Sequence, residues 1–194
     1  VFFLKVTAAA EIYTLSLPDA LPICLVVIVV FVADYMVNLQ IPFLDGDARV
    51  SRPTVLSVLV ALGAISMSLG AMIFGPLCAR IDTRWLPTIF LGLMAMGEVL
   101  IGTWPTLPSI AAGAAIIGFG GGIAVPNLYH TVTALATPES RGRSIAFASS
   151  SIALGGFLNP VVITPIRAAV GVNESFVIVG AALVALAALY AANP

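Results

Sequence analysis

The sequence predicts an all-α membrane protein of six transmembrane helices, and three observations carry that expectation. Hydrophobic residues fill 60% of the 194 positions and charged residues only 9%, with a mean hydropathy of +1.12. A soluble domain carries roughly 25% charged residues and about 45–50% apolar ones, so this composition lacks the polar residues to cover a water-facing surface. The apolar positions gather into six runs, roughly 25–44, 54–77, 86–104, 107–134, 143–167 and 173–192. Each run meets the ~20 residues that cross a ~30 Å hydrocarbon core at ~1.5 Å per residue. The runs also lack the alternating segments of about ten residues that build a β-barrel. Hydrocarbon forbids unsatisfied backbone, so continuous runs of this kind fold as helices.

The same composition excludes several functions. A net charge of −1 offers no basic field for nucleic acid, and no nucleic-acid-binding motif is present. Cys24 and Cys78 give neither a disulfide framework nor a metal spacing, and Cys78 reads as a small residue tolerated at a helix end. Gly118 and Gly120 lie inside an apolar run with no strand before them, so they are no dinucleotide fingerprint. No metal cluster, cofactor site or catalytic residue is expected, and no enzyme activity.

The N-terminus stands apart. Residues 11–23 resemble a conceptual translation of a common high-throughput sequencing adapter, which carries His where this chain has Pro18. Val1 to about Cys24 is therefore expected to be a non-native leader left by sequence assembly, to be set aside from fold reasoning. The alternative is a native apolar leader. The credible chain is residues 25–192, a single six-helix transmembrane half-domain, with whatever natural sequence preceded Leu25 missing.

Short breaks at 45–53, 78–85, 104–105, 135–142 and 168–173 separate the runs. Within the runs, small residues occur where helix backbones approach closely. Ala114, Gly118 and Gly122 are spaced four apart on one helix face, and Gly155 and Gly156 follow a serine cluster at 149–151. Tight helix packing is the expected role; space for a ligand, or bending, is the alternative.

Two loops carry a family resemblance. After the second run the chain reads Gly75-Pro-Leu77-Cys-Ala79-Arg80-Ile-Asp82-Thr-Arg84-Trp85. This is similar to the G-x-L-x-D-R-x-G-R-R loop that follows the second helix of each half of a major facilitator superfamily transporter. Gly75, Leu77, Arg80 and Arg84 match, while Ala79 replaces the acidic residue and Asp82 the second glycine, a degeneracy usual for the C-terminal copy. Farther on, Gly118 to Asn127, the loop Thr137-Pro-Glu139-Ser-Arg141-Gly-Arg143, and Gly155-Gly156-Phe-Leu-Asn159-Pro160 resemble helix ten, the next cytoplasmic loop and helix eleven of bacterial proton-linked efflux members. Ile41-Pro-Phe-Leu44 is similar to the end of helix seven. The resemblance covers about residues 25–192 and implies two inverted three-helix repeats, half of a major facilitator fold.

That resemblance also sets orientation. Arg80, Arg84, Arg141 and Arg143 then lie on the cytoplasmic side and Arg49, Arg52 and Arg167 outside, an asymmetry compatible with the positive-inside rule but too small to establish it. Both ends are expected in the cytoplasm of a bacterial inner membrane. Gly75, Arg80, Asp82, Arg84, Glu139, Arg141 and Arg143 are the expected conformational latch, with arginines donating to the last carbonyls of helices.

Ionisable residues inside a membrane cost about 2.5–3.5 kcal/mol on insertion scales and are functional candidates by default. Asp34 falls near the middle of the first run, with Tyr35 beside it and Asn38 one turn on. In the family this helix lines the central cavity, as does the one bearing Asn127, Tyr129 and His130. Asp34, Tyr35, Asn38, Asn127 and His130 are therefore the candidate substrate and proton pathway. For Asp34 the competing reading is a carboxylate hydrogen-bonded to a neighbouring helix or reaching cavity water. Glu98 is expected to snorkel or pair with another helix. Asn127 and Asn159 are expected to cap carbonyls that Pro126 and Pro160 leave unpaired. Trp85 and Trp104 read as interfacial anchors.

The expected function is that of a secondary transporter, here an incomplete C-terminal half, with proton-coupled efflux of small organic molecules of drug or sugar type. Its partners would be the lipid bilayer, a small-molecule substrate, protons and the missing N-terminal six-helix half. Proton-linked import, a six-helix channel or pore subunit, and a non-transporting membrane scaffold are the alternatives.

Overall fold

The computed structural model describes residues 17–44 and 52–192, with side chains described from Leu25 onward. Residues 1–16 of the expected leader lie outside the described residues, as do 45–51 of the first break with Arg49. Six α-helices make up nearly all of the rest: α1 (Leu17–Leu39), α2 (Pro53–Cys78), α3 (Leu86–Thr103), α4 (Leu107–Leu135), α5 (Arg141–Val170) and α6 (Val172–Ala192). Two short 3₁₀ turns, Ile41–Phe43 and Thr83–Trp85, complete it.

Local chemistry explains where the helices start and stop. Prolines occupy the first turns of α2, α3 and α4, where the missing N–H has no intrahelical partner to lose. Before α4, Thr106 is extended and its hydroxyl meets that of Ser109 at 2.9 Å. α5 stops at Gly171, whose φ of +100° suits glycine alone. Its N–H bonds the Arg167 carbonyl at 2.9 Å, and α6 starts at the next residue. The first run was expected to be helical over 25–44. Instead α1 closes at Leu39 and the chain tightens into the turn at Ile41–Phe43, because Pro42 has no N–H to continue the ladder. The helix also begins at Leu17, inside the stretch assigned to the leader.

Five helices, α2 to α6, are long and apolar enough to cross a membrane; the part of α1 with described side chains, Leu25–Leu39, is a shorter apolar helix. Large apolar side chains cover the outside, among them Ile65 at 60% exposed, Met72 at 75% and Phe157 at 70%. Water would penalise such a surface heavily, whereas acyl chains accept it.

α4 is the centre of the bundle. It packs closely on both α2 and α3, while α3 lies along α6 and α1 along α5. The α2–α4 crossing is built on glycine. A methyl group at Gly118 would collide with the Gly63 carbonyl, one at Gly122 with the Met67 carbonyl, and one at Gly70 with the Phe119 carbonyl. α3 and α4 meet the same way, with Gly97 and Gly113 each set against the other's carbonyl. Such crossings replace the hydrophobic drive that lipid cannot supply with van der Waals contact between backbones. Ile117, Ile123, Met94, Phe176 and Leu183 fill the remaining interior.

Candidate functional site

α1 carries two polar residues in sequence toward two different helices. Asp34 lies against Gly121 of α4; a Cβ there would come within 2.7 Å of Asp34 Oδ1. Gly121 is the central residue of the span Leu107–Leu135, so contact with it places the carboxylate at mid-depth of that helix. The next residue, Tyr35, lays its ring on α5, where a Cβ at Gly156 would stand 2.9 Å away. Asp34 and Tyr35 are half-buried and Asn38 is exposed, so α1 turns a polar edge outward from the bundle. Asn127 is buried on α4 with no hydrogen-bond partner for its Oδ1. His130 is exposed and meets the Phe74 ring of α2 edge-on, centroids 6.4 Å apart. Asp34 and Tyr35 are thus brought together where α1 meets α4 and α5, while Asn127 and His130 follow toward the far end of α4. Near them, Tyr129 Oη and Ser149 Oγ lie 3.0 Å apart, bridging α4 and α5.

The four glycines Gly118, Gly122, Gly155 and Gly156 all stand at helix contacts. Gly118 and Gly122 meet α2 backbone, Gly155 meets Phe31 Cβ and Gly156 the Tyr35 ring.

Two expectations are corrected. Asn159 does not cap a carbonyl left by Pro160. It is completely buried and reaches across to α1, donating from Nδ2 to the Val32 carbonyl at 2.6 Å and accepting from Gln40 Nε2 at 2.9 Å. Gln40 Oε1 in turn accepts from Arg167 Nη1 at 3.0 Å, and the Arg167 guanidinium lies 4.1 Å from the centre of the Phe43 ring. Sequence reasoning missed Gln40 and the inward role of Arg167; a glutamine just before a proline turn at a helix end was the available signal. Glu98 does not snorkel. It is 0% exposed between α3 and α6, and neither carboxylate oxygen has a hydrogen-bond partner.

In the loop after α2, Arg84 turns to its own neighbour rather than to a helix carbonyl. Its Nε donates to Asp82 Oδ2 at 2.7 Å, its Nη2 lies 2.7 Å from the same oxygen, and its backbone N–H donates to Asp82 Oδ1. The guanidinium hydrogen bond, with the backbone one, holds the Asp82 carboxyl below the usual carboxylate range. Arg80 and Glu139 are exposed, Gly75 has open space around it, and Arg141 and Arg143 lie in the first turn of α5.

An all-helical bundle with a lipid-compatible exterior and a carboxylate at mid-depth defines a multi-pass membrane protein. The family model of the Major Facilitator Superfamily matches residues 23–194, and the chain belongs to that superfamily of membrane transporters. No curated protein matches it.

Proposed function

We propose that the chain is the C-terminal six-helix half of a proton-coupled secondary transporter that expels small organic molecules, of drug or sugar type, through a bacterial inner membrane. The observation that carries this reading is Asp34 at mid-depth against Gly121, at the edge where α1 meets α4 and α5. A carboxylate held there carries a desolvation cost and is by default a functional candidate, and taking up a proton removes the charge that makes its passage through a closed cavity costly. Tyr35, Asn38, Asn127 and His130 supply the remaining polar groups of this half-cavity.

The arrangement as two inverted three-helix repeats draws support from the packing pattern. Exchanging α1–α3 with α4–α6 in order turns the α1–α5 contact into α4–α2 and returns α3–α6 to itself, while the close α3–α4 packing has no equally close counterpart between α6 and α1. In this reading α1 is a sixth span, both termini are cytoplasmic, and the latch is Gly75, Arg80, Asp82 and Arg84 on one loop with Glu139, Arg141 and Arg143 on the other. In the same reading Val1 to about Cys24 is a non-native leader.

The test is flux in vesicles carrying the complete parent protein. Saturable substrate efflux that collapses with a protonophore supports the proposal. Conductance without saturation would favour a pore, no flux a scaffold, and uptake coupled to inward protons would reverse the direction. The 194-residue chain alone is expected to carry no flux, since rocking needs two halves.

A further inference from the structure

Asp34 faces α4, yet what α4 presents to it is Gly121, a residue with no side chain to hold a carboxylate. The place of Asp34 is therefore set by the rotation of α1 about its own axis. α1 lies along α5 and touches α2, α3, α4 and α6 only lightly, so the α1–α5 seam decides that rotation. Most of the seam is close packing onto glycine. A Cβ at Gly155 would stand 2.7 Å from Phe31 Cβ and 3.0 Å from the Ile28 carbonyl, and one at Gly156 would stand 2.9 Å from the Tyr35 ring. Such contacts draw the helices together, but they carry no donor–acceptor direction.

The directional element is Asn159. Its side chain is 0% exposed and bonds α1 at two points, donating to the Val32 carbonyl at 2.6 Å and accepting from Gln40 Nε2 at 2.9 Å. The two points lie about two helical turns apart, with Asp34, Tyr35 and Asn38 between them. Arg167 holds the Gln40 amide from its other end, donating to Oε1 at 3.0 Å and leaving Nε2 aimed at Asn159. A hydrogen bond weakens steeply once donor, proton and acceptor leave the line, and a buried amide that loses its partner stays bare. Turning α1 by one residue position, about 100°, would break both bonds and carry Asp34 off Gly121.

We propose that Asn159 is the positioning residue for Asp34: by holding the Val32 carbonyl and Gln40 from α5, it fixes the rotation of α1 that keeps the mid-depth carboxylate against α4. The inference rests on the proposed use of Asp34 and adds the residue that aims it.

Oxidative disulfide cross-linking of the full chain in phosphatidylcholine vesicles reads that rotation, with Cys24→Ser and Cys78→Ser removing the native thiols. Asp34→Cys with Gly121→Cys reports the α1–α4 contact. Leu93→Cys with Gly120→Cys is the control pair on α3 and α4, where a Cβ at Gly120 would stand 3.4 Å from Leu93 Cβ. With Asn159 in place both pairs should close. Asn159→Leu should slow the first pair at least about fivefold, as loss of a buried partner implies, and leave the control pair unchanged. Turning also has a signature that loosening lacks. Ala33 and Tyr35 flank Asp34 at about 100° on either side. In an Asp34→Ala background, Asn159→Leu should therefore let Gly121→Cys gain a cross-link to Ala33→Cys or to Tyr35→Cys. An unchanged rate for the first pair overturns the proposal. So does loss at all three α1 positions together, which is detachment of α1, and so does loss of the control pair, which makes Asn159 a support of the whole bundle. The cross-links read geometry, not flux. If they behave as expected and the parent protein shows no flux that depends on Asp34, the positioning role stands and the proton-linked use of Asp34 falls.

Discussion

Asn159 on α5 donates to the backbone carbonyl of Val32 on α1 at 2.6 Å, joining two helices 127 positions apart in sequence. The same side chain receives Gln40, which receives Arg167, so one buried amide anchors a three-member polar chain along the α1–α5 seam. Interhelical hydrogen bonds in membranes average about 0.6 kcal/mol each, and removing one partner from a buried pair costs a further ~1–3 kcal/mol for the group left bare.

Asn159→Leu should therefore destabilise the bundle by about 1–3 kcal/mol, because Gln40 loses its acceptor in the interior. Thermal unfolding in detergent, followed by helical circular dichroism, reads this. An unchanged midpoint would show that the seam is held by apolar packing alone.

The glycine crossing of α2 and α4 predicts a larger effect. Gly118→Leu or Gly122→Leu places a side chain where the Gly63 or Met67 carbonyl stands, and rigid backbone on both sides cannot yield. Overpacking typically costs about 1–3 kcal/mol and sometimes more, and here the upper end is expected. Leu at Gly75, which has open space around it, is the matched control. Equal yields of monodisperse protein from Gly75→Leu and Gly118→Leu would contradict the crossing.

Much of this architecture was legible in advance. Insertion demands about twenty apolar residues, so every run left a mark in the sequence, and prolines at helix starts marked their edges. What was hidden is which faces meet. Glu98 sits in a helix apolar on all sides, where periodicity distinguishes no lipid face from an inner one, and its burial depends on Gly180, far along the chain. The partner of Asn159 was hidden for the same reason: a proline beside it pointed to local capping, while its bond runs to α1. The edge where Asp34 and Tyr35 contact α4 and α5 rests on Gly121 and Gly156, and a glycine shows nothing of what will press on it.

The Asp82–Arg84 pair gives a pH dependence of known sign. Hydrogen bonds from Arg84 hold the Asp82 carboxyl below its ordinary value. Whatever the pair contributes is thus present above the unfolded carboxylate value of ~3.9 and disappears as pH falls through the lower, folded one. Amide exchange in the loop should be flat from mildly acidic to neutral pH and rise only in stronger acid, with Asp82→Asn abolishing the rise. A transition near neutrality would assign the loop's order to another group.

The two tryptophans, Trp85 and Trp104, bracket α3 at its opposite ends, and both are exposed. At ~1.5 Å per residue the helix between them matches a hydrocarbon core. Bromines placed high on lipid chains should quench their fluorescence more strongly than bromines near the bilayer centre. Stronger quenching from the centre would contradict the assigned depth of α3.

The most direct test of the transport account is flux driven by a pH gradient in vesicles containing the complete parent protein, wild type against Asp34→Asn. The account predicts that gradient-driven flux falls to the level of empty vesicles in the variant, while exchange of substrate for substrate, which moves no net proton, continues. Gradient-driven flux at the wild-type rate in Asp34→Asn would contradict it.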